Sequence, residues 1–142
     1  SEMCIRDRYK GMQNCVRDLN LMYKGNPAFY EEDFDYRGFE WIDHSNADDS
    51  VISYMRKGHN PADYMVVISN FTPVVRHDYR IGVNENCRYQ EIFNSDDVNY
   101  WGSGVKNEGL LTTEEGEWNN KPRSIKVTLP PLSTIVLKPV RD

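Results

Sequence analysis

Between residues 11 and 24 the apolar side chains fall at Met12, Cys15, Val16, Leu19, Met22 and Tyr23, at offsets of three, four, seven, ten and eleven. That spacing places them along one face of an α-helix. Arg17, Asp18, Asn20 and Lys24 occupy the opposite face. Gly25 is expected to stop the helix in a left-handed conformation, and Pro27 cannot continue it. A single amphipathic helix of this length is marginal in water, so its stripe needs a cover.

Beyond residues 31–35 the period changes to two. Residues 51–57, 63–71, 74–83, 87–94, 123–129 and 133–138 read as strands. Ile125, Val127 and Leu129 point one way while Lys126 and Thr128 point the other. Tyr79, Ile81 and Val83 alternate with Arg80 and Gly82 in the same manner. Residues 64–68 form a continuous apolar run, as expected of a central strand covered on both faces. Turn chemistry falls between the strands, at residues 58–61, 84–86 and at Pro130-Pro131. Short strands with brief connections and no intervening helix predict an antiparallel β-sandwich. The exception is residues 95–109, rich in Gly, Asn and Asp and carrying Tyr100 and Trp101. A loop of that length is either mobile or functional.

The length of 142 residues allows one ordinary domain with a single core. Seventeen basic residues stand against 22 acidic ones, with no long run of one sign. That composition argues against nucleic acid as a partner, since phosphate binding needs clustered Lys and Arg. No apolar run is long enough to cross a bilayer, so no membrane partner is expected. Cys4, Cys15 and Cys87 are odd in number and lack metal-ligand or redox spacing, which suits reduced thiols in a cytoplasmic protein. Asn70-Phe71-Thr72 matches a glycosylation acceptor, a pattern short enough to arise by chance.

Paired carboxylates are the first chemistry to weigh, because two of them carry out most glycoside cleavage. Asp48-Asp49, Asp96-Asp97 and Glu114-Glu115 are such pairs. All three lie in polar, turn-like stretches, and adjacent residues on an extended strand point to opposite faces. No catalytic residue is assigned on that basis. His44, His59 and His77 lack the spacing to bring two imidazoles to one face, so no metal site is expected. His77 and Asp78, set between Arg76 and Arg80, are read as a structural polar cluster near a strand start. Flat aromatic faces remain, and sugar rings stack on them through their axial C–H groups. Trp41 lies close to Tyr36 and Phe39, Trp101 adjoins Tyr100, and Trp118 precedes Asn119-Asn120. Packing in a strand is the competing role for each of them.

Three strings together carry a resemblance: GFEWID at residues 38–43, SNFTPVVRHDYRIGV at 69–83 and LPPLSTIVL at 129–137. In this order and at these distances they resemble the carboxy-terminal region of bacterial 1,4-α-glucan (glycogen) branching enzymes, of the α-amylase superfamily. The likeness runs from about residue 9 to residue 137. Val75 stands where many relatives have proline, and the turn at residues 84–87 replaces a Pro- and Gly-containing one. Residues 1–8, SEMCIRDR, lie outside the likeness and are set aside as an adapter-derived or disordered leader.

The resemblance implies a mainly β fold: an amylase-type carboxy-terminal sandwich over residues 36–142. Residues 9–35 would be the last helix of an absent catalytic barrel and its connector. Branching enzymes cleave an α-1,4 bond and transfer the released chain to a 6-hydroxyl, with retention through a covalent glycosyl-enzyme; the resemblance implies that no metal or organic cofactor takes part. Their catalytic aspartates and glutamate precede the helix and have no counterpart here, so a fragment without activity is expected. The expected partners are α-glucan, as glycogen or amylose chains, and the missing barrel. Phe39-Glu40-Trp41 matches a motif whose tryptophan is implicated in surface binding of glucan, so Trp41 leads the candidates, with Tyr36 and Trp101 beside it. A free-standing glucan-binding module is the first rival, and the tail of another amylase-superfamily enzyme the second.

Overall fold

The computed structural model describes residues 2–32, 36–46 and 48–142. Helix α1 (Glu2–Gly25) leads into single 3-10 turns at Pro27–Phe29 and Tyr36–Gly38. Among the described residues nine strands follow: β1 (Phe39–Asp43), β2 (Val51–Lys57), β3 (Tyr64–Asn70), β4 (Arg76–Val83), β5 (Arg88–Asn94), β6 (Leu110–Leu111), β7 (Glu114–Trp118), β8 (Lys121–Leu129) and β9 (Ser133–Val140). They build a six-stranded sheet in the order β1-β2-β3-β9-β5-β6 and a three-stranded sheet in the order β4-β8-β7. Every pairing is antiparallel, and the predicted sandwich is what forms.

The two sheets close on an apolar core because alternate residues of each face inward. Val66, Ile68, Ile135, Leu137 and Tyr89 from the larger sheet meet Ile81, Val83, Ile125, Val127 and Leu129 from the smaller. Ile81, Ile125, Ile135 and Leu137 are wholly buried. All seven residues of β3 are buried, as its unbroken apolar run predicts. Its other side chains, Met65 and Val67, join Phe93, Val136, Ala28 and Phe29 in a second cluster on the outside of the sheet. Cys15 and Met22 of α1 pack against that second cluster.

The helix differs from its sequence reading in three ways. It begins at Glu2 and so runs through most of the segment set aside as a leader, while Ser1 and residues 33–35 of the connector lie outside the described residues. Gly25 stays out of the left-handed region. The last turn is closed instead by Asn26, whose Nδ2 donates to the Met22 carbonyl at 2.8 Å. Finally, the predicted stripe divides. Gly11, Cys15, Asp18 and Met22 turn toward the sandwich, whereas Met12, Val16, Leu19 and Tyr23 remain exposed. With Ile5 and Tyr9 the exposed residues recur at alternating intervals of four and three, a seam of the kind that packs against another element.

Three strands lie outside the spans that the sequence predicts: β1, β6 and β7. β7 carries Glu114, Glu115 and Glu117, is exposed along its length and lies at a sheet edge, where acidic side chains discourage further pairing. The long connection at residues 95–109 is tied down from within. The buried Asp96 carboxylate accepts from the Ser103 and Val105 amides, both at 3.0 Å, and from the Ser103 hydroxyl at 2.6 Å. A Cβ at Gly102 would lie 2.1 Å from the Asp96 carbonyl oxygen, so only glycine permits this approach.

Asn70, within the acceptor-like tripeptide, is a buried clamp. Its Nδ2 donates to the Val74 and Pro130 carbonyls at 3.0 and 2.9 Å, and its Oδ1 accepts from the Thr72 amide and hydroxyl. It thereby ties the end of β3 to two of the connections between the sheets, β3–β4 and β8–β9. Asn70→Ala is expected to lower unfolding free energy by about 2–3 kcal/mol, since the carbonyls it serves would be left unpaired. Chemical denaturation of the two proteins measures this.

Candidate functional site

Phe39 and Trp41 alternate with Glu40 and Ile42 along β1, so the aromatics take one face of the sheet and Ile42 enters the core. Register places Trp41 directly opposite Tyr54 of β2. The Phe39 ring stacks on Tyr54 with centroids 4.9 Å apart and planes 25° apart. Trp41 meets Phe39 edge-on at 4.9 Å and Tyr54 edge-on at 5.9 Å. The His44 ring lies 5.1 Å from the indole. Braced from three sides, Trp41 is still 47% exposed. Such a ring is held in one orientation and presents a flat apolar surface to solvent, the arrangement that a sugar ring can cover.

The opposite face of β1 supplies electrostatics and rigidity. Glu40 accepts from Lys57 at 3.2 Å and from Lys121 of β8 at 2.9 Å, clipping the edge of the larger sheet to the smaller. Partial burial would raise its carboxyl, but the hydrogen bonds and charges of Lys121 and Lys57 outweigh that and hold it below the ordinary range.

The other candidates sit apart. Tyr36 is 87% exposed in the short turn before β1. Trp101 ends the 3-10 turn Val98–Tyr100 in a left-handed conformation, φ 70°, and is half exposed. It packs over Gly11 of α1, with the Arg8 guanidinium 6.0 Å from its ring centre. Its neighbour Tyr100 stacks on Phe93 at 5.8 Å and donates to Asp18 at 2.5 Å, which pulls the Asp18 carboxyl down. Trp101 therefore belongs to the helix–loop junction and not to the Trp41 cluster. Tyr54 and His44 are the cluster members that the sequence reading passed over. The cross-strand partner of Trp41 was not visible until the β1–β2 register was known.

Five of the six paired acids have structural partners, Asp96 in the loop already described. Asp49 pairs with Arg76 at 3.2 Å, Glu114 with Arg80 at 3.2 Å, and Glu115 with Arg123 at 3.2 Å. Asp97 caps the turn at residues 98–100 by accepting from the Asn99 amide at 2.7 Å. His77 and Asp78 lie exposed at the start of β4 in a β-bulge. Among the described residues no group of three or more His, Cys, Asp or Glu side chains is placed to hold a metal ion. Cys15 and Cys87 are free, each with its thiol raised chiefly by burial. No helix among these residues is long and apolar enough to cross a membrane.

An antiparallel sandwich closed on a single core, with an edge strand bearing a braced tryptophan, defines an all-β domain. The chain belongs to the family described as alpha amylase, C-terminal all-beta domain, which matches residues 41–140. It is 48% identical over 130 residues to the 1,4-alpha-glucan branching enzyme GlgB of Rubrobacter xylanophilus, covering 92% of this chain and 18% of that protein. With the 1,4-alpha-glucan branching enzyme GlgB of Halothermothrix orenii it shares 46% identity over 136 residues, covering 96% and 22%. A crystal structure of alpha-amylase from H. orenii superposes with a TM-score of 0.51 at 25% identity, covering 89% of this chain and 20% of that one. The chain thus spans about a fifth of the length of the curated relatives it matches.

Glu40 makes the clip testable. Because folding lowers its carboxyl, the stability it contributes is present above the ordinary value of 4.5 and is lost as pH falls below it. Glu40→Gln is expected to reduce Tm by about 2 °C at pH 7, a small effect because the carboxylate is partly solvated. The difference from the unsubstituted protein shrinks as pH falls below 4.5, as a series of thermal melts would record.

Proposed function

We propose that this chain is the carboxy-terminal sandwich of a 1,4-α-glucan branching enzyme, acting in glycogen synthesis. Its own part is to hold α-glucan at the surface and to support the catalytic portion of the parent protein. The parent reaction cleaves an α-1,4 bond and transfers the freed chain to a 6-hydroxyl; retention lets the acceptor take the place of water at the glycosyl-enzyme. The observation that carries the reading is the identity of 46–48% across more than nine-tenths of the chain to proteins bearing that name. Asp49, Glu114, Glu115, Asp96 and Asp97, of the three acid pairs, are engaged in ion pairs, a loop and a cap, which supports placing catalysis outside this chain.

Trp41 is the principal glucan contact in this proposal, since its ring is both braced and half exposed. Tyr36, three residues before Phe39, adds an exposed ring in the turn ahead of β1, and Trp101 serves as a separate contact beside the helix. The exposed seam from Ile5 to Tyr23 is the face that the catalytic portion covers. The free thiols suit a cytoplasmic setting.

Two measurements test this. In affinity electrophoresis through gels containing soluble amylose, the chain is expected to be retarded, and Trp41→Ala to lose most of that retardation, about tenfold in affinity. Equal retardation of the two folded proteins would remove Trp41 from the site. Incubated with amylose, the 142-residue chain is expected to create no α-1,6 linkages. New branch points, detected by debranching and chain-length analysis, would overturn the assignment of catalysis to the rest of the parent.

A further inference from the structure

A second concavity, of about 540 Å³, opens between the free edge of β4 and the β1–β2 connection. Arg76, Asp78 and Tyr79 line it from β4, Asn46 and Asp49 from the connection, and Trp118 from the end of β7. We propose that this groove is a separate carbohydrate site, seating one or two glucose units of a linear α-1,4-glucan with Trp118 as its stacking surface. The proposal rests on the α-glucan reading above and adds to it a place on the opposite sheet.

The charges of the groove nearly balance. Asp43, Asp49 and Asp78 face Arg76 and Arg80, and Asp49 and Arg76 neutralise each other at 3.2 Å. A phosphate or carboxylate ligand needs unpaired cations; a nearly balanced, polar groove fits a neutral polyol. Its polar groups are also held in fixed directions. Asn46 Nδ2 donates to Asp49 Oδ2 at 2.9 Å and to the Tyr79 hydroxyl at 2.6 Å. The proton of that hydroxyl has no acceptor among the described residues. A donor fixed in this way suits the hydroxyl groups of a sugar, which accept as readily as they donate.

Trp118 is set much as Trp41 is. Its Nε1 donates to the Arg80 carbonyl at 3.0 Å and the Arg80 guanidinium lies 5.5 Å from its ring centre, yet the residue is 47% exposed. The backbone also fixes the rim of the groove. Asp78 takes φ 52° inside a β-bulge, and bulges re-aim side chains. Asn119 and Asn120, at φ 52° and 60°, form the two-residue hairpin turn that sets Trp118 opposite Lys121, a conformation asparagine adopts readily.

Titration of the ¹⁵N-labelled 142-residue chain with maltoheptaose tests the site, because its three tryptophans give three indole N–H signals. The Trp118 indole and the amides of residues 76–80 are expected to shift together and saturate, both in the unsubstituted chain and in Trp41→Ala. Trp118→Ala is expected to weaken the response of those amides about tenfold while the Trp41 indole responds as before. The first two titrations decide the question even if Trp118→Ala does not fold. A silent Trp118 beside a responding Trp41 would overturn this site and leave the glucan reading intact. Silence of all three indoles would end both. Equal shifts on adding inorganic phosphate in place of the sugar would mark an anion site and overturn the proposal.

Discussion

β3 has no solvent face, and the rest of the molecule is arranged to meet that condition. Flanked by β2 and β9 in the plane of the sheet, it needs the smaller sheet against one surface and a second cover against the other. The 3-10 turn Pro27–Phe29 and the Cys15–Met22 face of the helix provide that second cover. Without them Met65, Val67 and Val136 would stand in water, each forfeiting on the order of 2 kcal/mol of burial. The helix is therefore part of the domain's core and not an appendage to it.

Most of the sandwich was legible because the central strands obey a strict rule. A strand covered on both faces must be apolar throughout, and a half-covered one must alternate; residues 64–68 and 125–129 do each in turn. The edges were less legible for a physical reason. β7 has no buried side to declare, so its glutamates give no period, and β6 is only two residues long. The helix was recognised from its spacing, but a stripe with two possible covers cannot say which residues each will take. Gly11 had the least to announce, yet Tyr100 and Trp101 lie directly against it.

The candidate surface followed the same division. Trp41 could be singled out by its motif, but the bracing by Tyr54 depends on strand register, which no local pattern around Trp41 encodes. Asn70 shows the reverse case. Its tripeptide carries a well-known chemical signature, while its side chain is committed to four hydrogen bonds that close the sandwich. Burial decided between the two readings.

The helix presents unlike chemistry on its two sides. The inner side is fixed to the long loop through Tyr100 and Asp18 and through the fit of Trp101 over Gly11. The outer seam is left bare. Whatever lies on that seam is consequently mounted at a set distance and angle from the sheets. The two proposed glucan surfaces would then act as a stationary jig, delivering polymer along a constant line to whatever it is bolted to.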